Sequence, residues 1–260
     1  MRSHEPNLAT VESICARLAE EHDGAAPSLL AFDADGTLWS GDVGIDLFEA
    51  LLRAQLVHPH AESALAAEAY SFGLSTSGGA NALAKALYAS FQRGEYPEEK
   101  AFGMMAWVFG GWLLDDLGGF ARDVLKTQDH TARIRESMRR LVQWAHDRGI
   151  RVAVVSGSPR TIVELGVALF GISGDNVVAT TPRTRDGVVL PELDGPVIYA
   201  DKKVQGLRAR LGSQPILAAF GDSGYDADLL QASRIPVAVN PKPGLIAAMS
   251  SIPNIVCLMD

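Results

Sequence analysis

Three apolar runs stand out along this chain, and each ends in a polar, turn-forming segment. Ser28-Leu29-Leu30-Ala31-Phe32 leads into Asp33, Ile150 to Val155 leads into Ser156-Gly157-Ser158-Pro159, and Pro215 to Phe220 leads into Gly221-Asp222. Short apolar runs bounded by turn signals read as strands buried on both faces. Residues 8–22 carry apolar positions at helical spacing and predict an amphipathic helix before the first strand. From about 42 to 130 the pattern is helical, with segments at 61–70, 81–92, 97–109 and 115–126. Breaks fall at 71–79, 93–97, Gly110-Gly111 and Gly118-Gly119. From 132 onward helix and strand patterns alternate, which predicts an α/β fold with a parallel sheet. Val177–Leu190, with Asp186-Gly187 at its middle, predicts a β-hairpin. The layout is a core of residues 1–40 and 132–260, divided by an all-helical insertion at 41–131.

Composition narrows the picture. The chain has 260 residues, 47% of them hydrophobic, enough for a sizeable core. A net charge of −8 argues against general nucleic-acid binding. Cys15 and Cys257 imply no disulfide framework. Met1–Pro6 lack the apolar core of a leader. The stretch from Ala101 to Leu114 is too short and too Gly-interrupted to span a membrane. The expectation is a cytoplasmic monomer or homodimer with no membrane or nucleic-acid partner.

Candidate chemistry sits at the strand ends. Asp33 and Asp35 leave the first strand two residues apart, on one side of extended backbone, where open α/β sheets bind ligands. Two close acids repel, so they need a cation, a shared proton or separate roles. One could attack phosphorus while the other handles protons, with a divalent metal offsetting the charge. A solvated Asp turn would look the same. Ser156 offers a hydroxyl, and Gly157 lets the backbone approach a ligand. Pro159 suits the first turn of a helix whose amino end favours an anion; a plain strand-turn-helix connection is the alternative. Asp201-Lys202-Lys203 opens a helix, and Lys203 lies one turn before Leu207 on the inward face, leaving Lys202 as its substitute. Asp222 ends the third strand and Asp226 starts the next helix. Their hard oxygens suit Mg²⁺, whereas Asp228 reads as a charge complementing the helix dipole. His58-Pro59-His60 completes no ligand shell and reads as a surface loop.

The ordered set Asp33-Ala-Asp35-Gly-Thr37, Ser156, Lys203 and Gly-Asp222-Ser-Gly-Tyr-Asp226 resembles the haloacid dehalogenase superfamily of phosphohydrolases, over about residues 28–40 and 132–250. The resemblance implies a Rossmann-like three-layer core, a Mg²⁺ ion and an aspartyl-phosphate intermediate. By that resemblance Asp33 is the nucleophile and Asp35 the general acid/base. Asp33, the backbone carbonyl of Asp35 and Asp222 hold the metal, and Asp226 supports the metal or Lys203. Thr37, Ser156, Gly157 and Lys203 bind the phosphoryl group. Dehalogenases proper lack the second acid, so Asp35 points to phosphate transfer, a phosphomutase included.

The same resemblance implies that 41–131 is a helical cap, as in phosphoserine phosphatase-like members. There an acid nine residues after the nucleophile meets the substrate's ammonium. Asp42 holds that position here; it is also a favoured helix N-cap. Phe102, Met105, Phe109 and Trp112 form one helical stripe, most simply cap core. Trp107 lies off the stripe, in surroundings similar to phosphocholine phosphatase-like members. It could stack on a quaternary ammonium or form a second packing face or dimer contact. Tyr225 stands beside Asp222 without an assigned role. The expected function is a Mg²⁺-dependent phosphatase for a small phosphomonoester, with amine-bearing substrates such as phosphoserine or phosphocholine as the narrower expectation. The alternatives are a phosphomutase or phosphotransferase, and a non-catalytic phosphometabolite-binding module.

Overall fold

A computed structural model of the protein describes residues 8–22 and 28–260; Met1–Pro6, where no leader is expected, lie outside them. The strands are β1 (Leu8–Ala9), β2 (Leu29–Phe32), β3 (Arg151–Pro159), β4 (Val177–Thr180), β5 (Pro182–Arg185), β6 (Val188–Leu193), β7 (Ile216–Gly221), β8 (Ile235–Val239) and β9 (Val256–Leu258). The helices are α1 (Val11–Glu21), α2 (Val43–Ala54), α3 (Glu62–Ser71), α4 (Gly79–Gln92), α5 (Glu98–Trp107), α6 (Leu114–Thr127), α7 (His130–Arg133), α8 (Glu136–His146), α9 (Arg160–Val167), α10 (Asp201–Leu211), α11 (Ala227–Gln231) and α12 (Pro243–Ala248).

Seven strands form one parallel sheet in the order β1-β9-β8-β7-β2-β3-β4. Side chains alternate across it. Leu30, Phe32, Val152, Val154, Phe220 and Val237 face one layer, packed with residues of α1, α8 and α9. Leu29, Ala31, Ala153, Val155, Ala219 and Ala238 face the other, packed with residues of α10, α11 and α12. Both faces of β2 are therefore covered, which explains its unbroken apolar run. Each fully buried Leu or Phe contributes about 1.5–3 kcal/mol. Phe32 and Phe220, opposite one another in register, stack at 4.3 Å and 3° directly beneath the strand ends. β2 lies between β3 and β7, which the chain reaches in opposite directions, and such a switch point opens a crevice at the carboxyl ends.

Helices α2 to α6 occupy the interval between β2 and β3. The chain leaves and re-enters the sheet region at one place, where the Ser40 N–H donates to the Arg133 carbonyl at 3.0 Å. Arg133 also donates to the Ser40 carbonyl at 2.7 Å and to Asp46 at 2.5 Å.

Two expectations need correction. Residues 8–22 are not one helix: a reciprocal capping box between Thr10 and Ser13 starts α1 at Val11, which leaves Leu8–Ala9 free to pair with β9. Nor is Val177–Leu190 one hairpin. Val177–Thr180 is buried and joins the main sheet beside β3, as its continuous apolar character requires. The hairpin is β5–β6, turned by Asp186 (φ 51°) and Gly187 (φ 78°), the positive-φ pair of a tight two-residue loop. It packs on the helical segment, with the Val189 N–H donating to the Trp112 carbonyl at 2.9 Å.

Candidate active site

Three strand ends converge on Asp33. The end of β2 is pinned to β7 by the Asp33 N–H, which donates to the Phe220 carbonyl at 2.9 Å. The Asp33 carboxylate accepts from Lys203 Nζ at 2.6 Å on Oδ1 and from Thr37 Oγ1 at 3.1 Å on Oδ2. Lys203 also donates to Asp226 Oδ1 at 2.5 Å. Its side chain is 6% exposed, so one buried ammonium bridges two buried carboxylates. Burial alone would lower the Lys203 pKa; the charges of Asp226 and Asp33 overcome that and raise it. Lys202, by contrast, is partly exposed and pairs with Asp201. Lys203 reaches the carboxylates because α10 presents its inward face. Ala200, before the first turn of α10, sits at φ 47° and ψ −124°. That region is rarely adopted by a residue with a Cβ, at a cost of about 1–3 kcal/mol.

Asp226 is fully buried. Its Oδ2 accepts from the N–H groups of Asp222 (3.2 Å) and Ser223 (2.9 Å) and from Ser223 Oγ (2.9 Å). Asp222 leaves the end of β7 and accepts from Lys242 Nζ at 2.8 Å, while the Lys242 N–H donates to the Asp222 carbonyl at 2.7 Å. The turn after Asp35 passes close by: Gly36 has φ 85°, and a Cβ there would stand 1.9 Å from Asp222 Oδ2. Only glycine fits that position.

Carboxylate oxygens of Asp33, Asp222 and Asp226 lie within 4.8 Å of one another. Burial raises the pKa of Asp33 well above its ordinary value. The charge of Asp226 adds to this, and Lys203 opposes it. Burial also raises Asp222, against the pull of Lys242. Three close acids facing Lys203 and the half-exposed Lys242 leave a surplus of negative charge. Hard oxygen donors in that arrangement fit Mg²⁺, which takes few protein ligands.

Asp35 stands beside this cluster. Its Oδ1 accepts from Trp39 Nε1 and the Val43 N–H, both at 2.8 Å. Its Oδ2 accepts from Ser158 Oγ at 2.7 Å and Ser156 Oγ at 3.4 Å. Asp33, Asp35, Ser156, Gly157, Lys203 and Asp222 all line one cavity of about 220 Å³. That is room for a small metabolite. Asp226 closes it from behind.

Other predicted positions fall differently. Thr37 is fully buried and donates its hydroxyl to Asp33; it does not line the cavity. Asp42 is both a helix cap, accepting from the Ile45 N–H of α2 at 2.8 Å, and a cavity-lining residue. Its burial, with Asp35 nearby, pushes its pKa up to about 7. Trp107 packs partly buried against the main core and does not line the cavity. The aromatic wall is made instead by Phe102, Tyr199 and Tyr225, the last two with ring centres 4.3 Å apart. Phe102, assigned by its stripe to cap core, thus has one edge on the cavity. Tyr225 donates to Glu98 at the start of α5, tying the β7 loop to the helical segment.

Sequence reasoning missed Ser158, Trp39, Lys242, Tyr199 and Glu98. Ser158 carried a signal, since it repeats the serine of Ser156 two residues on and so shares its side of the strand. Trp39 follows Asp35 in the same turn, whereas Lys242, Tyr199 and Glu98 reach the site from loops and helices that no local pattern ties to it.

A family model described as haloacid dehalogenase-like hydrolase matches residues 30–231. A phosphoserine phosphatase of Halobacterium salinarum (strain ATCC 29341 / DSM 671 / R1) is 30% identical over 118 residues, 44% of this chain and 56% of that protein. The chain thus matches little more than half the length of that curated relative. A protein of unknown function from Bordetella pertussis Tohama I is similar in structure with a TM-score of 0.70 at 22% identity, covering 91% of this chain and 99% of that one. A substrate-bound phosphoserine phosphatase complex matches with a TM-score of 0.52 at 16% identity, covering 89% of this chain and 92% of its own. These two structural likenesses concern the fold.

Proposed function

The chain belongs to the haloacid dehalogenase-like hydrolases, and from that premise we propose that it is a Mg²⁺-dependent phosphatase acting on a small phosphomonoester through an aspartyl-phosphate. The observation that carries the reading is the set around Asp33: a buried carboxylate at a strand end, bridged by Lys203 to Asp226, with a second acid, Asp35, on the same cavity.

Asp33 attacks phosphorus while the P–O bond to the leaving group breaks, and Asp35 protonates the departing oxygen. Asp35 then takes a proton from water as that water displaces Asp33, releasing phosphate. Lys203 and the Ser156 hydroxyl face the phosphoryl oxygens and stabilise the charge gathered there. Thr37 and Lys203 hold the Asp33 carboxylate in line. Asp33, the backbone carbonyl of Asp35, and Asp222 would hold Mg²⁺, with Asp226 supporting; the ion, when bound, supplies positive charge against the phosphate and the paired acids.

Asp42 and Glu98, with the rings of Phe102, Tyr199 and Tyr225, favour a leaving group that carries an amine. Carboxylates attract it, and aromatic faces attract it most when it is methylated. Free Cys15 and Cys257 fit a reducing compartment, so the reading places the protein in the cytoplasm, as a monomer or homodimer.

The test is phosphate release from phosphoserine, phosphoethanolamine, phosphocholine, the neutral 3,3-dimethylbutyl phosphate, sugar phosphates and p-nitrophenyl phosphate, with Mg²⁺ or with EDTA. Release that needs Mg²⁺ and disappears in a folded Asp33→Asn variant is expected. An Asp33→Asn protein as active as the wild type would defeat the assignment. Equal rates on phosphocholine and its neutral analogue would remove the amine preference.

A further inference from the structure

The four contacts of Asp35 differ in kind between its two oxygens. The groups on Oδ1, the Trp39 indole N–H and the Val43 N–H, are donors only. Among the described residues no acceptor is hydrogen-bonded to Oδ1, so a proton placed there would point at two other protons. The groups on Oδ2 are hydroxyls, which donate to a carboxylate and accept from a carboxylic acid. Of the two, Ser158 is the closer, at 2.7 Å against 3.4 Å for Ser156. Ser156 Oγ accepts the Ser158 N–H at 3.1 Å, and its long contact to Oδ2 is the one it can give up for a phosphoryl oxygen. Ser158 is 7% exposed, and α2 is built to receive it: a Cβ on Gly44 would stand 2.6 Å from Ser158 Oγ.

We infer that Ser158 is a positioning residue that makes Oδ2 the oxygen through which Asp35 gives and takes its proton, an inference that rests on Asp35 being the acid/base of the proposed reaction. With Asp35 protonated, the Ser158 hydroxyl accepts from Oδ2–H until the leaving oxygen takes that hydrogen bond over. As the P–O bond to the leaving group breaks and the bond to Asp33 forms, the proton passes to the departing oxygen. Oδ2 becomes anionic, and Ser158 turns to donate to it. In hydrolysis the water's proton returns to Oδ2 as its oxygen joins phosphorus and the bond to Asp33 breaks. Trp39 and Val43 keep Oδ1 out of both transfers.

The experiment compares esters that do and do not need a protonated leaving group. Phosphoserine and phosphoethanolamine expel alkoxides; p-nitrophenyl phosphate expels a group that stabilises its own charge. Ser158→Ala should lower kcat on the alkyl esters by about 10- to 100-fold, the worth of one hydrogen bond to a charged group. It should lower kcat on p-nitrophenyl phosphate by no more than roughly threefold, because little proton transfer is needed there. Retained aryl-ester turnover also reports an intact fold. Gly44→Ala keeps the hydroxyl but displaces it, and should give the same alkyl-selective loss. Asp35→Asn separates the two layers of the argument. An alkyl-selective loss in Asp35→Asn with equal losses on both ester types, or none, in Ser158→Ala overturns the role of Ser158 alone. No ester selectivity in Asp35→Asn overturns the acid/base reading beneath it.

Discussion

Replacing Gly36 with alanine should damage the site from the backbone outward. Two costs fall on that position. Its φ of 85° is left-handed, where an L side chain loses about 1–2 kcal/mol. Its Cβ would stand 1.9 Å from Asp222 Oδ2, and real Cβ contacts do not fall below 3.0 Å, so the carboxylate must retreat by roughly 1 Å or more. Gly149 offers an internal control. It has φ 66° in the turn before β3, and a Cβ there would meet nothing within 4 Å. Gly149→Ala should therefore show the backbone cost alone, a fall in Tm of about 2–8 °C for a chain of this size. Gly36→Ala should show a comparable or larger fall, together with weaker Mg²⁺ binding and a kcat reduced about 100-fold, the usual consequence of misplacing a reacting constellation by 1 Å. Thermal unfolding, Mg²⁺ titration calorimetry and phosphate release on the two variants decide the matter. A Gly36→Ala protein that binds Mg²⁺ and turns over like Gly149→Ala would refute the claim that this glycine makes room for Asp222.

Two further outcomes follow from the buried charges. Lys203→Met leaves Asp33 and Asp226 unpaired in the interior, at a cost of about 3–5 kcal/mol; Tm should fall by about 6–20 °C, and added Mg²⁺ should restore part of it, whereas an unchanged Tm would show that the bridge contributes nothing. Asp42 has an ordinary pKa of 3.8 and a folded value of about 7, so the stability it lends is complete below about pH 4 and is lost as pH rises through about 7. Asp42→Asn should flatten that decline in denaturant unfolding measured from pH 4 to 8, and parallel curves for the two proteins would contradict it.

The parts of the site that are local in sequence were legible in it. Asp33, Asp35, Asp222 and Asp226 each follow an apolar strand within a few residues, so strand polarity alone places them at one edge. Lys203 over Lys202 followed from helical phase relative to Leu207. Position around a helix was less informative where the helix is apolar on every side. In α5 the buried residues are Ala101, Gly103, Met104, Met105 and Ala106, so periodicity could not say whether Phe102 or Trp107 meets the cavity. Packing chose Phe102. For Thr37, motif position says that it is near Asp33 but not which oxygen of the carboxylate it meets. Lys242, Tyr199 and Glu98 arrive from segments distant in the chain, and only the folded molecule brings them in. The same holds for the hairpin boundaries, where burial on both faces draws Val177–Thr180 into the sheet.

The place of β2 in the sheet also governs the order in which a nascent chain can become competent. Leu29 pairs with Arg151 on one side and with Ile216 on the other. The strand that carries Asp33 therefore emerges from the ribosome long before either flanking partner exists. Lys203, Asp222 and Asp226 emerge later still than the first of those partners. Until β7 has emerged, β2 keeps at least one unpaired edge, a target for chaperones and for misassociation. Competence arrives late and all at once, so incomplete translation products should be inert as enzymes and costly to protein quality control.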